Sequence, residues 1–415
     1  MAASSPLSWE DMSGSVIPEV DLHSGEFSPR STLRTFGARP EDIRVTLYRD
    51  HHFWCPYCQK VALYLEEHKI PYRIKKVTMF CYGDKESWYR RVVPSGMLPA
   101  LDLDGEIITE SDDILFSLDD AFGPLGSHSL SDPKVLPFRR LERKLFGAWC
   151  NWLCRRHFTP MHESRAEGEF KSVAKEVDDA LGVTKGPFFL GETYTVADII
   201  FTPYIERMSA SLTYYKGFNI RESYSNIDRW FSASEERPVY RGSQSDFHTH
   251  VHDLPPQMGS CNSNGSKKAR EYQDAIDGGG IDDRHFRWET TAPASKDAKF
   301  EAVSRVYKHR NTLAGVNPME KDVFDDAVRS ALTNLINGSY DVKPPKGSAI
   351  GLRYLRDRIS CPRDMSIHAA RELRIALEMT ARLDGDGVGP PIKVGDRRDQ
   401  NPRPFVEARE RVSVE

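Results

Sequence analysis

Long hydrophobic runs are missing from this chain: no apolar stretch approaches the ~20 residues that a membrane-spanning helix needs. That argues against a transmembrane helix. A dominant charge sign is missing too. The formal net charge of −4 over 415 residues gives no global electrostatic attraction to nucleic acid or to an anionic membrane surface. The seven cysteines are few, odd in number and scattered. That excludes the dense disulfide framework of a small secreted domain and suits a reducing compartment. Residues 1–29 contain no Lys or Arg but carry Glu10, Asp11, Glu19, Asp21 and Glu26. Transit peptides are Arg-rich and poor in acids, so residues 1–40 read as a flexible tail and the protein as cytosolic, with plastid import as the alternative.

What is present is a hydrophobic content of 39%, enough for packed cores, at a length suited to two or three domains. Residues 42–123 read as a small α/β unit. Val45–Tyr48 and Tyr72–Met79 have strand character, and Gln59–His68 follows a helical pattern. Asp104-Gly105 between Ala100–Leu103 and Glu106–Thr109 is a hairpin signal. Ser111–Phe122 closes the unit as a helix, stopped by Gly123-Pro124. Residues 134–245 read as all-helical, with a capping box at Thr195–Asp198. Residues 255–300, rich in Gly, Ser, Asn and Asp, read as a linker. Residues 300–405 read as an α-rich extension with amphipathic helices at Asp322–Asn337 and Met365–Leu383.

Chemistry concentrates at Trp54-Cys55-Pro56-Tyr57-Cys58. A strand precedes this Cys-x-x-Cys pair and a helix follows it. A cysteine at a helix start faces free backbone N–H groups and the positive end of the helix dipole, and both favour the thiolate. The spacing also suits half of a zinc site, but no second Cys-x-x-Cys completes one. Leu98-Pro99 precedes the third strand, and a cis proline there would turn the backbone groups of Leu98 outward to pair with an extended thiol peptide. Glu110-Ser111 opens the next helix, whose N–H donors suit a carboxylate, while Glu110 suits an ammonium group. Lys85, or less well Lys76, could pair with a second carboxylate. A ligand with an ammonium, two carboxylates, a peptide backbone and a thiol matches this set, and glutathione is such a ligand.

On Cys-Pro-Tyr-Cys, Met97-Leu98-Pro99-Ala100 and Glu110-Ser111, residues 44–123 resemble the thioredoxin-fold domain of the glutathione transferase superfamily. Residues 134–245 resemble its helical domain, through Thr195–Asp198 and Ile227-Asp228-Arg229-Trp230-Phe231. His252–Gly259, Gly351–Ile359 and Pro362–Met365 are similar to stretches of the iota class of photosynthetic organisms, which carries a C-terminal extension of unknown function. That class resembles Cys-Pro-Trp-Cys at the active site, whereas this chain has Tyr57. The aromatic ring is kept, so the same chemistry is expected.

The resemblance implies a thioredoxin-like α/β domain, an all-α domain and an additional α-rich extension. It implies Cys55 as nucleophile and Cys58 as a resolving or regulatory thiol. Glutathione would be held by Tyr57, Lys85, Leu98, Pro99, Glu110 and Ser111. Glutathione enters as co-substrate and no metal is expected. The implied activity is glutathione-dependent thiol oxidoreduction: deglutathionylation of small molecules or proteins through a Cys55 mixed disulfide, extending to dehydroascorbate. Alternatives are a non-catalytic binding protein of the same fold and conjugation of glutathione to electrophiles. The expected partners are glutathione and an oxidised or glutathionylated substrate, with a homodimer open and neither nucleic acid nor membrane.

Other clusters have plainer readings. His248, His250 and His252 alternate as on a strand face and could bind a metal, but read as a polar surface segment. Cys150 and Cys154 share a helix face and read as inert buried thiols. Trp149 and Trp152 read as helical core. Arg353, Arg356, Arg358, Arg363, Arg371 and Arg374 are interleaved with acids and read as intramolecular ion pairs.

Overall fold

The computed structural model describes residues 5–278 and 288–385. It opens with a short helix, α1 (Trp9–Met12), and a five-stranded sheet follows. The strands are β1 (Leu33–Arg34), β2 (Val45–Asp50), β3 (Tyr72–Val77), β4 (Ala100–Leu103) and β5 (Glu106–Thr109), in the order β1-β3-β2-β4-β5. β2 is central. It pairs in parallel with β3, register Val45↔Tyr72, and antiparallel with β4, register Val45↔Leu103. The parallel pair needs a crossover, and α2 (Pro56–His68) supplies it. α3 (Ser87–Val92) lies between β3 and β4, and α4 (Ser111–Phe122) follows β5. The β4–β5 hairpin turns at Asp104-Gly105, both at positive φ (54° and 91°), as an Asp-Gly turn prefers.

The all-helical part contains α5 (Leu136–Cys154), α6 (Pro160–Gly182), α7 (Val196–Lys216), α8 (Ile220–Ser223), α9 (Ser225–Glu235) and α10 (Pro238–Ser243). The capping box at Thr195 and Asp198 starts α7. Asp198 also accepts from Phe189 N–H and Trp230 Nε1 at 3.1 and 3.0 Å, so one buried carboxylate joins three segments. Trp149 and Trp152 lie in the core that the sheet and these helices share.

Every residue of α7 is buried, because the chain beyond 245 does not leave the domain. α11 (Phe247–Met258) and α12 (Lys267–Asp277) pack over it. The expected linker at 255–300 therefore contains helix: Ser266 caps α12 by accepting from Ala269 N–H at 3.1 Å, and Ala269 and Tyr272 are buried. The polar composition of α12 hides a narrow apolar stripe. Gly217, at φ +65°, lets α12 approach, since a Cβ there would meet the Ala269 nitrogen at 2.8 Å.

The third region is a helical cluster of α13 (Ala298–Val316), α14 (Lys321–Asn337), α15 (Ala349–Arg358) and α16 (Ile367–Arg382), with a separate core. The part of the expected extension beyond 385 lies outside the described residues. The N-terminal segment, expected as a flexible tail, is instead packed. Met12 is fully buried in the third-region core, Trp9 Nε1 donates to Asp325 Oδ1 at 2.9 Å, and β1 pairs with β3. The partners of this segment lie some 300 residues away, beyond any local pattern. Four of the six arginines are paired internally: Arg353 and Arg356 with Glu378, Arg363 with Asp364, and Arg374 with Asp246.

Candidate active site

Cys55 is the N-cap residue of α2, with Pro56 at the first helical position, where its missing N–H costs nothing. The Cys58 N–H donates to Cys55 Sγ at 3.4 Å, a bond aimed at negative charge on sulfur. The Cys55 thiol lies 3.8 Å from the Leu98 carbonyl oxygen, its acceptor, and the Leu98-Pro99 peptide is cis, as expected. Cys58 is fully buried one turn further in. Burial, then the bond to Cys55, pushes its thiol well above the ordinary range. Both cysteines are buried, but their sulfurs have different environments: Cys55 caps the helix and receives its N-terminal N–H, while Cys58 lies one turn deeper with its thiol pKa pushed up.

Asp50, at the end of β2, was not foreseen. Its Oδ2 accepts from Trp54 N–H at 2.6 Å, and its carboxylate and the two cysteine sulfurs lie within 4.8 Å of one another. Its charge adds to the cost of ionising Cys58. Arg207 of α7 was not foreseen either. It donates to the Trp54 carbonyl at 2.5 Å and to Gln59 Oε1 at 3.0 Å, and stacks 4.6 Å from the Trp54 ring. Both residues are distant in sequence or outside the motif, so nothing local marks them.

Lys85 packs its ammonium 5.9 Å from the Tyr89 ring and donates to the Thr78 carbonyl at 3.2 Å. Burial pulls its pKa down, while Cys58 and Cys55 are among the groups holding it up, so it shares their electrostatic field. Lys76 instead donates to the Arg30 carbonyl at 3.0 Å. Tyr57 is 38% exposed and meets Tyr204 edge-on at 5.8 Å, where the first two domains face each other. Glu110 sits exposed at φ +63°, an uncommon conformation for a non-glycine residue, and Ser111 begins α4 in a buried position. The first turn of α4 is tied to α2 by the Lys60–Asp112 ion pair and to α5 by Arg139–Asp112 at 2.8 Å.

The histidines are not a surface strand. His248, His250 and His252 are buried in α11. His250 lies 5.3 Å from Trp54, behind the active-site loop, and its pKa is driven down by burial and by Arg207. His252 Nε2 is 2.7 Å from Asp277 Oδ1, and His248 Nε2 is 3.5 Å from Asp357 Oδ1. His248, His252 and Asp277 could together ligate a metal. Arg356, 2.7 Å from Asp357, supplies positive charge there already. Cys150 and Cys154 also depart from expectation, being half-buried and joined by Cys261.

Comparison with known proteins fits this geometry. Residues 54–121 match the family model for the glutathione S-transferase N-terminal domain, and residues 160–233 match that for its C-terminal domain. Both matches together are consistent with a member of the glutathione transferase superfamily. Among its relatives, glutathione S-transferase DHAR2 of Arabidopsis thaliana is 27% identical over 194 residues, 46% of this chain and 84% of that protein. A probable chloroplastic glutathione S-transferase DHAR2 of Oryza sativa is 26% identical over 176 residues, 42% of this chain and 60% of that protein. Among solved structures, glutathione transferase Omega 3C of Trametes versicolor is 25% identical, with a TM-score of 0.43, over 49% of this chain and 90% of that one. The matched domains end at residue 233, within α9, and α10 onward lies outside them.

Proposed function

We propose that this protein is a glutathione-dependent thiol oxidoreductase that works through a mixed disulfide on Cys55. The observation that carries the reading is the asymmetry of the pair: Cys55 Sγ caps the helix and receives its N-terminal N–H at 3.4 Å, while the Cys58 thiol, one turn deeper, has its pKa pushed well up by burial and by Cys55. A serine or tyrosine at the helix start would only hold the thiolate of glutathione, whereas a cysteine exchanges with it. The Cys55 thiolate attacks the glutathione sulfur of a glutathionylated substrate, and the substrate leaves as its thiolate. A second glutathione thiolate then attacks the glutathione sulfur bound to Cys55. Oxidised glutathione departs and the Cys55 thiolate returns. Leu98 would pair with the cysteinyl backbone of glutathione, Glu110 and Ser111 with its γ-glutamyl end, and Lys85 with its glycyl carboxylate. The relatives named for dehydroascorbate reductase support dehydroascorbate as a further substrate of the same thiol cycle.

The test is Cys55→Ser assayed on a glutathione mixed disulfide. Loss of turnover is expected, and a rate close to that of the unaltered protein would sink the reading. Brief exposure of the unaltered protein to oxidised glutathione should add one mass of about 305 Da at Cys55, the increment of a glutathione disulfide. Bound glutathione without turnover on any disulfide, dehydroascorbate or electrophile would favour the non-catalytic alternative.

A further inference from the structure

A second group of thiols lies away from Cys55. Cys150 and Cys154 occupy the last two turns of α5, and Cys261 follows α11. All three are half-buried, whereas Cys55, Cys58, Cys81 and Cys361 are buried. The segment carrying Cys261 is held against the end of α5. Ser260 Oγ donates to the Cys154 carbonyl at 2.8 Å, Asn262 N–H to the Leu153 carbonyl at 2.8 Å, and Asn262 Nδ2 to the Cys154 carbonyl at 2.9 Å. These bonds satisfy carbonyls that a helix end leaves open. Asn264 does the same for Tyr215 and Lys216 at the end of α7.

Cys154 is the middle sulfur. It accepts from the thiols of Cys150 and Cys261, and with help from the Lys216 ammonium these outweigh burial and draw its pKa down to about 4. Cys261 shifts the opposite way and keeps its proton. A metal held by all three sulfurs would need them within about 4.6 Å of one another, twice a Zn–S bond. Among the described residues, this trio is not one whose donor atoms all lie within 4.8 Å.

We propose that Cys154 and Cys261 are a second redox centre, which oxidised glutathione converts into a disulfide joining α5 to the segment that leads into the third region. The Cys154 thiolate attacks one sulfur of oxidised glutathione, the S–S bond breaks, and one glutathione thiolate leaves. Cys261 gives its proton to solvent and attacks the Cys154 sulfur, expelling the second glutathione thiolate. Two protein thiols are oxidised and one oxidised glutathione is reduced to two glutathiones. Cys150 cannot replace Cys261. Residues four apart on a helix have Cβ atoms about 5–6 Å apart, beyond the roughly 3.5–4.5 Å of a disulfide. Cys150 therefore stays a hydrogen-bond donor. The source of the oxidant rests on the proposed function, because turnover at Cys55 releases oxidised glutathione. The disulfide would register the accumulation of that product.

The experiment uses the full chain carrying Cys55→Ser and Cys58→Ser, which leaves five thiols. After incubation with oxidised glutathione and alkylation, peptide mass spectrometry with fragmentation should find Cys154 bonded to Cys261. The reactive-thiol count in denaturant should fall from five to three. Adding Cys261→Ser should stop the reaction at a glutathione adduct on Cys154. Five free thiols, a bond to Cys150, or a stable adduct on Cys154 with Cys261 intact would each overturn the proposal. Because Cys55 is absent, the result does not depend on turnover: a bond formed here beside an inactive unaltered protein rejects only the proposed function.

Discussion

The guanidinium of Arg207, on the central helix of the second domain, donates to the carbonyl of Trp54, the residue before Cys55, at 2.5 Å. One side chain thus fixes the backbone that positions Cys55, and it reaches across from another domain. It also donates to Pro203 O and Gln59 Oε1, all in full burial. Arg207→Leu leaves those acceptors without their donor and Glu206 without its neighbouring positive charge. A loss of about 3 kcal/mol in stability is expected, read from urea unfolding. Alkylation of Cys55 by iodoacetamide should slow as well. Arg207→Lys should recover only part of either loss, because an ammonium cannot reproduce the fork. Unchanged unfolding and alkylation in Arg207→Leu would reject the coupling.

Cys58 should be dispensable for turnover. Its thiol is fully buried and held protonated, and glutathione reaching Cys55 already brings the second sulfur. Cys58→Ser is expected to keep most of the rate on a glutathione mixed disulfide. It should also accumulate the Cys55 adduct, since no internal thiol can displace it. A dead Cys58→Ser enzyme with an intact fold by circular dichroism would instead require a dithiol step.

The parts legible in the sequence were those encoded locally. Asp104-Gly105 announces its hairpin because few other residues take positive φ twice in a row. Cys55-Pro56 announces a helix start, and Thr195 with Asp198 announces another. Asp50 and Arg207 carry no such mark, since their meaning comes from lying beside Trp54 in space. The histidines of α11 misled because a spacing of two suggests a strand, while His248 and His252 are also four apart, one helical turn. Gly and Ser enrichment pointed to a linker at 255–300, yet α12 docks on α7 through buried Ala269 and Tyr272 and the bond from Tyr214 to Asp277. Met12 and Trp9 show the same limit, as scattered apolar residues near the N-terminus do not reveal a partner on α14.

Glu206 makes stability depend on pH. It is fully buried, and desolvation pushes its carboxyl from 4.5 up to about 7, against a bond from Gln59 Nε2 at 2.8 Å and the charge of Arg207. A carboxyl with a raised pKa binds its proton more tightly when folded. The stability this confers is full below about pH 4.5 and is lost as pH rises through about 7. Glu206→Gln keeps the hydrogen bond and removes the ionisation. Relative to the unaltered protein, it should gain up to about 3 kcal/mol at pH 8 and nothing near pH 4.5. Urea midpoints of both proteins across that range decide the matter, and a difference that does not vary with pH would exclude Glu206 as the cause.

The N-terminal segment should matter to a region more than 300 residues away. Leu7 N–H donates to Thr333 Oγ1 at 2.9 Å, Trp9 Nε1 reaches Asp325, and Met12 is buried against the core formed by α13 to α16. Truncating Met12 to alanine removes a buried side chain whose neighbours come from helices that cannot all close the gap. The expected cost is about 3 kcal/mol, within the range for Met→Ala in a core. Because this core is separate from the one around Cys55, the loss should fall on the third region. Hydrogen exchange should rise in α14 and α16 of Met12→Ala, while α2 and α7 stay protected and turnover at Cys55 persists. Uniform loss of protection across all of these helices would instead show that the two cores unfold as one unit.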